Sequence, residues 1–341
     1  MARLTYLSAG RTEWQEEQPV GLSSPHAAVV RPLAVSTCDM DAAALSGLVR
    51  FRGPVPLGHE AVAKVLEVGD EVRTIAPGQH VVVPWQISCG RCARCRRGQD
   101  AYCQDVPAGA CYGWGPHVQR FGGLLADAVD VPFADHMLTP LPRGLSPAEA
   151  SGLGDNLVDA WRSVGPYVRP GSRVLVVGGV LPFGGSIGLY ACAYAVALGA
   201  AEVVFVSHDE LLCRQAERLG ARSSHVTASY PDLGPEFDVT VDTSGLAEGL
   251  SLALRATGPC GTCTCTAGAV HRDPPAVPLY EMYLRSVTLR TGWVSTRPLI
   301  PRALAPIASG AVRPLDIATV VRWEEAPDAL REPFTKLVVV R

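Results

Sequence analysis

Four cysteines in one short segment have the spacing of a metal site. Cys89, Cys92, Cys95 and Cys103 are separated by gaps of two, two and seven residues. A tight turn can direct four such thiols at one point, and four thiolates around one point form a closed tetrahedral zinc site. A closed site leaves no position for a substrate. The spacing therefore predicts a structural zinc that holds a loop in shape.

A disulfide cluster and an iron–sulfur cluster are the alternative interpretations of these cysteines. The N-terminus from Met1 to Tyr6 has no apolar segment of signal-peptide length, so we expect a protein of the cytoplasm. In that compartment such spacing favours a metal over disulfides. No fourth cysteine is placed where ferredoxin-type spacings would put it. Zinc is therefore the preferred interpretation.

A second group of residues offers a different set of metal ligands. Cys38 is followed about twenty residues later by the segment Gly58-His59-Glu60. Together these residues supply a thiolate, an imidazole and a carboxylate, all of which zinc accepts. Histidine alone is often a satisfied buried residue, but its place between glycine and glutamate favours a ligand.

The composition and charge of the chain indicate what kind of protein carries these residues. The chain has 341 residues, of which 48% are hydrophobic and 18% charged, so it is globular and long enough for two domains. A net charge of −3 provides no field that would gather nucleic acid or an anionic membrane. The uncharged stretch from Val174 to Ala201 is interrupted early by glycines and Pro182. That pattern favours a buried strand, a loop and a helix over a membrane span.

The pattern of elements changes near Pro170 and Gly171. Before that point, short β segments alternate with Gly and Pro, which is typical of a compact β-barrel domain. After it, buried strands at about 173–177, 202–207 and 237–242 alternate with helices, which predicts a parallel, doubly wound sheet. The last residues, from Thr335, predict a strand that returns to the first domain.

A glycine-rich segment follows the first strand of the predicted parallel sheet. Gly178 closes the strand, and Gly185, Ser186, Ile187 and Gly188 open the next helix. Such a turn lets the backbone approach a pyrophosphate, which then meets the N–H groups of the helix N-terminus. The segment is longer than the usual fingerprint by about five residues. The alternative is a glycine-rich turn with no ligand, but the surrounding strand–helix–strand pattern favours a dinucleotide.

The end of the second strand bears on the choice between NAD and NADP. The position that normally carries an acid for the adenosine ribose holds Ser207, which would not repel a 2′-phosphate. His208 and Arg214 could reach such a phosphate, and this favours NADP. Asp209 and Glu210 lie close enough in the sequence to take over the ribose contact, which would favour NAD instead.

These features occur in one order that is similar to a known family. A cysteine and a Gly-His-Glu segment precede the four-cysteine loop, and the nucleotide segment and a Val-Asp-Thr-Ser-Gly segment at 241–245 follow. Over nearly its whole length the chain resembles the zinc-containing medium-chain dehydrogenase/reductase family, which includes alcohol and polyol dehydrogenases. The resemblance implies a GroES-like β-barrel catalytic domain at residues 1–157 and a Rossmann dinucleotide-binding domain at 158–295. A C-terminal segment, 296–341, would return to the catalytic domain.

The resemblance also implies a catalytic zinc. Its ligands would be Cys38, His59 and a residue just before the nucleotide domain, to which Asp155 corresponds. Water, a substrate oxygen or Glu60 would take the fourth position. Asp41 matches an aspartate that supports this zinc from outside the ligand set, although a turn or cap contact explains it equally well. Asp155 has a similar alternative as the cap of the following helix.

The pocket implied by the resemblance is apolar. Trp85 corresponds to an aromatic wall beside the substrate, and Met40 would face the same space. Trp114 and Trp161 are further wall candidates, for which a packed core position is favoured. The usual hydroxyl and histidine that relay the alcohol proton correspond to Met40 and Ala43, neither of which can carry a proton.

We therefore expect a zinc-dependent oxidoreductase that transfers a hydride between NADP or NAD and an alcohol or carbonyl of a small molecule. It would bind two zinc ions per chain and form a homodimer or homotetramer through an edge strand near 287–290, without nucleic acid or membrane partners. Two alternatives remain open. One is an NADPH-dependent reductase of a conjugated alkene or iminium, which needs no alcohol proton relay. The other is a redox-silent binding protein, suggested by the long glycine segment.

Overall fold

The computed structural model describes residues 1–49, 52–181, 185–270 and 274–341. Its strands are β1 (Ala2–Ser8), β2 (Arg11–Glu16), β3 (Ala28–Ser36), β4 (Val55–Pro56), β5 (Glu60–Val68), β6 (His80–Val83), β7 (Val129–Val131), β8 (Thr139–Pro140), β9 (Arg173–Val177), β10 (Glu202–Ser207), β11 (Arg222–His225), β12 (Phe237–Asp242), β13 (Thr257–Cys265), β14 (Thr288–Arg290), β15 (Thr319–Arg322) and β16 (Leu337–Val340). Its helices are α1 (Asp39–Leu45), α2 (Val118–Phe121), α3 (Ala134–Met137), α4 (Pro147–Ala150), α5 (Asn156–Val164), α6 (Ser186–Ala197), α7 (Glu210–Arg218), α8 (Ala247–Ala256), α9 (Leu279–Arg285), α10 (Ile300–Ala308) and α11 (Ala326–Ala329).

The chain forms two compact units. The first contains Met1–Val158, Val294–Ala308 and Ala318–Arg341. The second contains Asp159–Trp293 and Ser309–Ile317. The predicted C-terminal segment, 296–341, differs in one respect, because residues 309–317 belong to the second unit. A hydrogen bond from Tyr190 Oη to the carbonyl oxygen of Pro314, 3.3 Å long, helps to hold them there.

The first unit is built from β-sheet whose strand pairs are antiparallel, except that β15 and β16 pair in parallel. Its larger sheet has the order β15-β16-β3-β5-β6-β8, with β7 paired to β3, and a smaller sheet has the order β2-β1-β4. Along β5, the core residues Ala61, Ala63 and Val65 recur at every second position, as expected for one face of a strand. β16 pairs antiparallel with β3, so the last strand returns to the first unit as predicted.

The second unit contains a six-stranded sheet with the order β11-β10-β9-β12-β13-β14. Every strand pair in it is parallel. Its central strand β9 is buried from Val174 to Val177, which is typical of a strand covered on both faces. The doubly wound sheet and the GroES-like unit confirm the predicted fold class.

The order of this sheet also locates its binding edge. The chain runs outwards from β9 to β10 and β11 on one side, and then to β12, β13 and β14 on the other. In sheets of this kind ligands bind outside the carboxyl ends of the strands where the direction reverses. Among the described residues no helix has the length and apolar character needed to cross a membrane.

Candidate active site

The four cysteines of the predicted structural site come together as the spacing requires. The Sγ atoms of Cys89, Cys92, Cys95 and Cys103 all lie within 4.8 Å of one another. The Cys89–Cys95 and Cys92–Cys103 sulfur pairs are 4.0 Å apart. Zinc–sulfur bonds of about 2.3 Å place tetrahedral sulfurs roughly 3.8 Å apart. The donor set and its size therefore fit zinc.

Backbone N–H groups prepare one of these sulfurs for a cation, whereas burial raises the pKa of Cys89 and Cys95. Cys92 Sγ accepts from the amide nitrogens of Cys95 and Gln104, each at 3.4 Å. Burial alone would raise the pKa of Cys92, but the donors from Gln104 and Cys95 outweigh it and lower the pKa to about 6. A thiol held this way binds metal as a thiolate at neutral pH.

Side chains outside the loop hold it to the rest of the first unit. Gln86 Nε2 donates to the carbonyl oxygen of Val294 at 2.6 Å, and Gln86 Oε1 accepts from the amide of Thr296 at 3.2 Å. Within the loop, the amide of Ala101 donates to Ser295 Oγ at 3.2 Å. The residues that enter the first unit at Val294 are therefore tied to the cysteine loop, a contact that the sequence analysis missed.

A second group of possible metal ligands lies in the same unit. Cys38, His59, Glu60 and Asp155, here called the four-donor cluster, each offer one atom, and these atoms lie within 4.8 Å of one another. His59 Nε2 is 3.6 Å from Asp155 Oδ2. Cys38, His59 and Glu60 are buried and the Asp155 side chain is only 14% exposed. The structure thus brings the predicted catalytic ligands together.

Local structure explains how three separate segments reach this point. Cys38 is the N-cap of α1, where its Sγ accepts from the amide of Met40. His59 and Glu60 stand at the start of β5. Asp155 follows a single 3₁₀ turn, Ser151–Gly154, and precedes α5. The ends of three elements, and not their middles, therefore carry the donors.

The electrostatics of the cluster favour a cation. Burial and the charges of Asp155 and Asp41 raise the pKa of Cys38 well above its ordinary value. Burial lowers the pKa of His59, but Asp41 and then Asp155 outweigh it and raise the pKa to about 9. His59 Nδ1 is buried without a hydrogen bond among the described residues. A thiol, an imidazole and carboxylates with this charge balance fit zinc.

Glu60 has a partner that the sequence analysis did not identify. Both of its carboxylate oxygens lie 3.0 Å from Lys336 Nζ, and both side chains are fully buried. Glu60 therefore faces a lysine from the C-terminal residues as well as the other donors of the cluster. A possible signal existed, because Lys64 and Lys336 are the only lysines among 30 basic residues.

Aromatic side chains flank His59. The Trp85 ring lies 6.2 Å from the His59 ring and is tilted by 60°. Trp114, for which a core position was favoured, is instead half-buried beside His59 and donates from Nε1 to Asp41. Trp161 packs edge-on against Tyr194 at 5.3 Å in the second unit and does not line this cluster.

Two glycines of the nucleotide segment lie so close to neighbouring side chains that a Cβ would clash. A Cβ on Gly178 would lie 2.3 Å from Cζ of Phe205, and one on Gly188 would lie 2.8 Å from Oγ1 of Thr243. Gly185 is the N-cap residue of α6. These close approaches fit the strand–turn–helix of a dinucleotide site. Pro182, Phe183 and Gly184 lie outside the described residues.

Ser207 is bonded within the fold. Its Oγ donates to the carbonyl oxygen of Gly179 at 2.6 Å and accepts from the amide of Asp209 at 2.9 Å. Asp209 Oδ2 accepts from the amide of Leu181 at 3.2 Å, while its Oδ1 caps α7. A carboxylate therefore stands beside the glycine segment, two residues after the position where the sequence analysis looked for it.

The two side chains predicted to reach a 2′-phosphate have other contacts. His208 Nδ1 lies 2.7 Å from the carbonyl oxygen of Val226, and the His208 ring packs on Tyr230 at 4.6 Å. Arg214 pairs with Glu210 at 2.7 Å on the exposed face of α7. Their predicted role in binding the cofactor stays a prediction.

Comparisons with known proteins agree with this fold and site. Residues 24–143 match the alcohol dehydrogenase GroES-like domain, and residues 186–309 match the zinc-binding dehydrogenase domain. A probable zinc-binding alcohol dehydrogenase of Mycobacterium tuberculosis is 31% identical over 89% of this chain and 77% of its own length. A sorbitol dehydrogenase of Arabidopsis thaliana is 32% identical over 74% of this chain and 71% of its own.

A solved structure agrees over the full chain. An alcohol dehydrogenase from Thermus sp. ATN1 matches with a TM-score of 0.88 and 30% identity, covering 100% of this chain and 99% of that one. The chain belongs to the zinc-containing medium-chain dehydrogenase/reductase family. It is a zinc-binding, alcohol dehydrogenase-like oxidoreductase that acts on a small-molecule substrate.

The Lys336–Glu60 pair gives a prediction for stability. Lys336→Met leaves the buried Glu60 carboxylate without this counter-charge, which should lower the free energy of unfolding by about 3–5 kcal/mol. That loss applies above about pH 8, because burial raises the pKa of Glu60 to about 8 even though Lys336 lowers it, and protonation discharges the carboxylate below that value. The loss should therefore shrink as the pH falls. Urea denaturation of the metal-free protein on both sides of pH 8 checks this.

Lys64→Met is the matched control, because Lys64 is exposed on β5. It should change the free energy of unfolding little at either pH. A Lys336→Met protein as stable as this control, or one whose deficit grows on acidification, contradicts the prediction.

Proposed function

We propose that this chain transfers a hydride between NAD(P) and an alcohol or carbonyl group, with one zinc in the four-donor cluster and another in the cysteine loop. The observation that carries the proposal is the cluster itself, with its thiol, imidazole and carboxylate atoms within 4.8 Å of one another. When bound there, zinc supplies Lewis-acid polarisation of the substrate oxygen, and the nicotinamide supplies or accepts the hydride.

The residues around the cluster have separable tasks in this proposal. Cys38, His59 and Asp155 hold the metal, and Glu60 can take the fourth position. Lys336 Nζ donates to Glu60 Oε1 at 3.0 Å. Trp85, whose ring lies 6.2 Å from that of His59, gives the pocket an apolar wall. Apolar walls exclude water and strengthen the electrostatic interactions of the reacting groups.

One observation supports a second candidate function. Met40 is half-buried and Ala43 is fully buried on α1, and neither can pass a proton outwards. An alcohol must lose a proton during oxidation, and a positioned proton acceptor typically contributes a factor of about 10² to 10⁴. Reduction of an iminium takes up only a hydride, and a conjugated alkene takes up its proton at carbon, so neither reaction has to remove a proton from an alcohol. We retain these reductions as the alternative to the alcohol or carbonyl reaction.

The experiment that tests the proposal compares two cysteine variants. Cys92→Ser should remove one zinc and lower the thermal stability, with the four-donor cluster intact. Cys38→Ser should remove the other zinc and abolish turnover without unfolding the protein. Zinc is counted by mass spectrometry, and turnover is followed as nicotinamide absorbance with panels of alcohols, aldehydes and enones.

Each other outcome identifies a different failure. A parent protein that holds a single zinc contradicts the two-site proposal. Reduction of enones without activity on alcohols or aldehydes favours the second candidate function. If the parent binds no nicotinamide cofactor in a fluorescence titration, the result favours the alternative of a redox-silent binding protein.

For the cofactor we propose that Asp209 takes the ribose contact and that NAD is therefore preferred over NADP. Its carboxylate stands at the end of β10 and accepts from the amide of Leu181 in the glycine segment. A 2′-phosphate bound there would meet this negative charge, whereas ribose hydroxyls could donate to it. Ser207, which suggested NADP, is fully buried in contacts of its own.

Asp209→Asn tests this choice, because asparagine still caps a helix but carries no charge. We expect its affinity for NADP to rise roughly tenfold or more relative to its affinity for NAD. Asp232→Asn, an exposed acid of the same unit, is the control and should leave the ratio unchanged. A parent that binds NADP more tightly than NAD points back to Ser207, His208 and Arg214.

For assembly we propose a homodimer through the second unit. β14 is an edge strand of the six-stranded sheet, so one side of it is open to pairing. The helix before it, α9, exposes Leu279, Tyr280, Tyr283 and Leu284, with Tyr283 80% exposed. Large apolar side chains grouped beside an open strand mark a protein contact surface.

Tyr283→Glu should convert the dimer to monomer, because the interface would have to bury an unpaired charge. Tyr102→Glu, at an exposed tyrosine of the cysteine loop, is the matched control and should stay dimeric. Sedimentation velocity measures both. A parent that sediments as a monomer at micromolar concentration contradicts the proposal. If the parent is an oligomer and Tyr283→Glu has the same sedimentation coefficient, the interface does not involve α9.

A further inference from the structure

A tight turn centred on Trp114 lies against Gly58, the residue that precedes His59 at the start of β5. Both flanking glycines have positive φ, +65° at Gly113 and +78° at Gly115. A Cβ on Gly113 would lie 2.6 Å from the carbonyl oxygen of Gly58, and one on Gly115 would lie 2.9 Å from that of Gly109. The backbone therefore needs glycine on both sides of Trp114 to come this close.

A hydrogen bond further fixes the turn. Cys111 Sγ donates to the carbonyl oxygen of Trp114, at 3.0 Å. The indole of Trp114 is half-buried and lies 6.5 Å from the His59 ring, edge-on at 81°. The turn thus presents one aromatic side chain to the four-donor cluster without contributing a ligand to it.

The contact that Trp114 makes there is with Asp41. Trp114 Nε1 donates to Asp41 Oδ1 at 2.9 Å. The other oxygen, Oδ2, accepts from the amide of Cys38 at 2.9 Å and lies 3.8 Å from His59 Nδ1. Asp41 is buried, so its orientation is set by these donors and not by water.

This orientation determines what His59 can do. With Oδ1 held by the indole, Oδ2 is the oxygen that faces Nδ1, and a proton on Nδ1 is the one that Asp41 favours. The Asp41 contact with Nδ1 is electrostatic at this distance of 3.8 Å. When a metal takes the Nε2 position, which lies 3.6 Å from Asp155, the proton of the imidazole is therefore favoured on Nδ1. A partner that fixes the tautomer and ring of a ligating histidine tunes how tightly the metal is held.

We infer that Trp114 is a positioning residue for the proposed catalytic zinc. Its N–H orients Asp41, and Asp41 in turn holds His59 with Nε2 directed at the metal position. The inference rests on the proposed function, since it concerns the zinc of the four-donor cluster. Trp114 itself touches Asp41 and makes no bond to the metal in this account.

Trp114→Phe tests the inference, because it keeps an aromatic ring and removes only the N–H donor and the second ring. Zinc release to a chromogenic chelator should become roughly tenfold to hundredfold faster for the four-donor cluster. Release from the cysteine loop, identified as the phase that Cys92→Ser eliminates, should keep its rate. Trp14→Phe is the matched control, since Trp14 stacks on Trp323 in the same unit and should change neither phase.

A double-mutant cycle separates positioning through Asp41 from a general packing effect. Asp41→Asn alone should also speed release, and adding Trp114→Phe to it should change the rate little further. Effects that multiply, or a Trp114→Phe protein that releases zinc at the parental rate, overturn the inference. The unchanged cysteine-loop phase and thermal midpoint show that Trp114→Phe has folded.

The failure of the proposed function gives a different result. A parent that holds zinc only in the cysteine loop contradicts the catalytic zinc, and the inference about Trp114 falls with it. A parent that holds two zinc ions, with release insensitive to Trp114→Phe, leaves the proposed function standing and removes Trp114 alone.

Discussion

The first unit is organised around one constraint, the burial of acidic and thiol groups around a single imidazole. Cys38, Glu60 and Asp155 surround His59 with little access to solvent, and Asp41 adds a carboxylate 3.8 Å away. These buried acids and this thiol can be ionised together only at high cost unless a cation is present. Lys336 provides one positive charge from within the chain, and zinc chemistry explains the remaining donors.

Because of that constraint, the elements that position these donors must be placed within narrow limits. The four donors stand at the ends of three elements, where a helix cap, a strand start and a 3₁₀ turn set their positions. Strand β16 pairs with β3 and carries the chain that brings Lys336 to Glu60. The antiparallel sheet is therefore the frame that allows residues far apart in the sequence to share one buried site.

Local spacing was enough to predict the cysteine loop, the parallel sheet and the donors Cys38 and His59, whereas Asp155 was implied by the family resemblance. Each prediction from spacing depends on residue types and gaps within a short segment or on a pattern of buried strands. The Lys336–Glu60 pair, separated by 276 positions, and the Trp114–Asp41 bond, separated by 73, depend on tertiary packing and leave no periodic signal. The contacts of Ser207 likewise depend on tertiary structure, because its hydroxyl bonds to the backbone of the glycine segment.

The scarcity of lysine gives the buried pair a consequence for chemical labelling. Amine-reactive reagents can modify Lys64, which faces solvent on β5, but Lys336 is only 1% exposed. Acylation at Lys336 therefore requires the first unit to open. The ratio of label at the two lysines measures how often that opening occurs, with the exposed amine serving as an internal standard in every molecule.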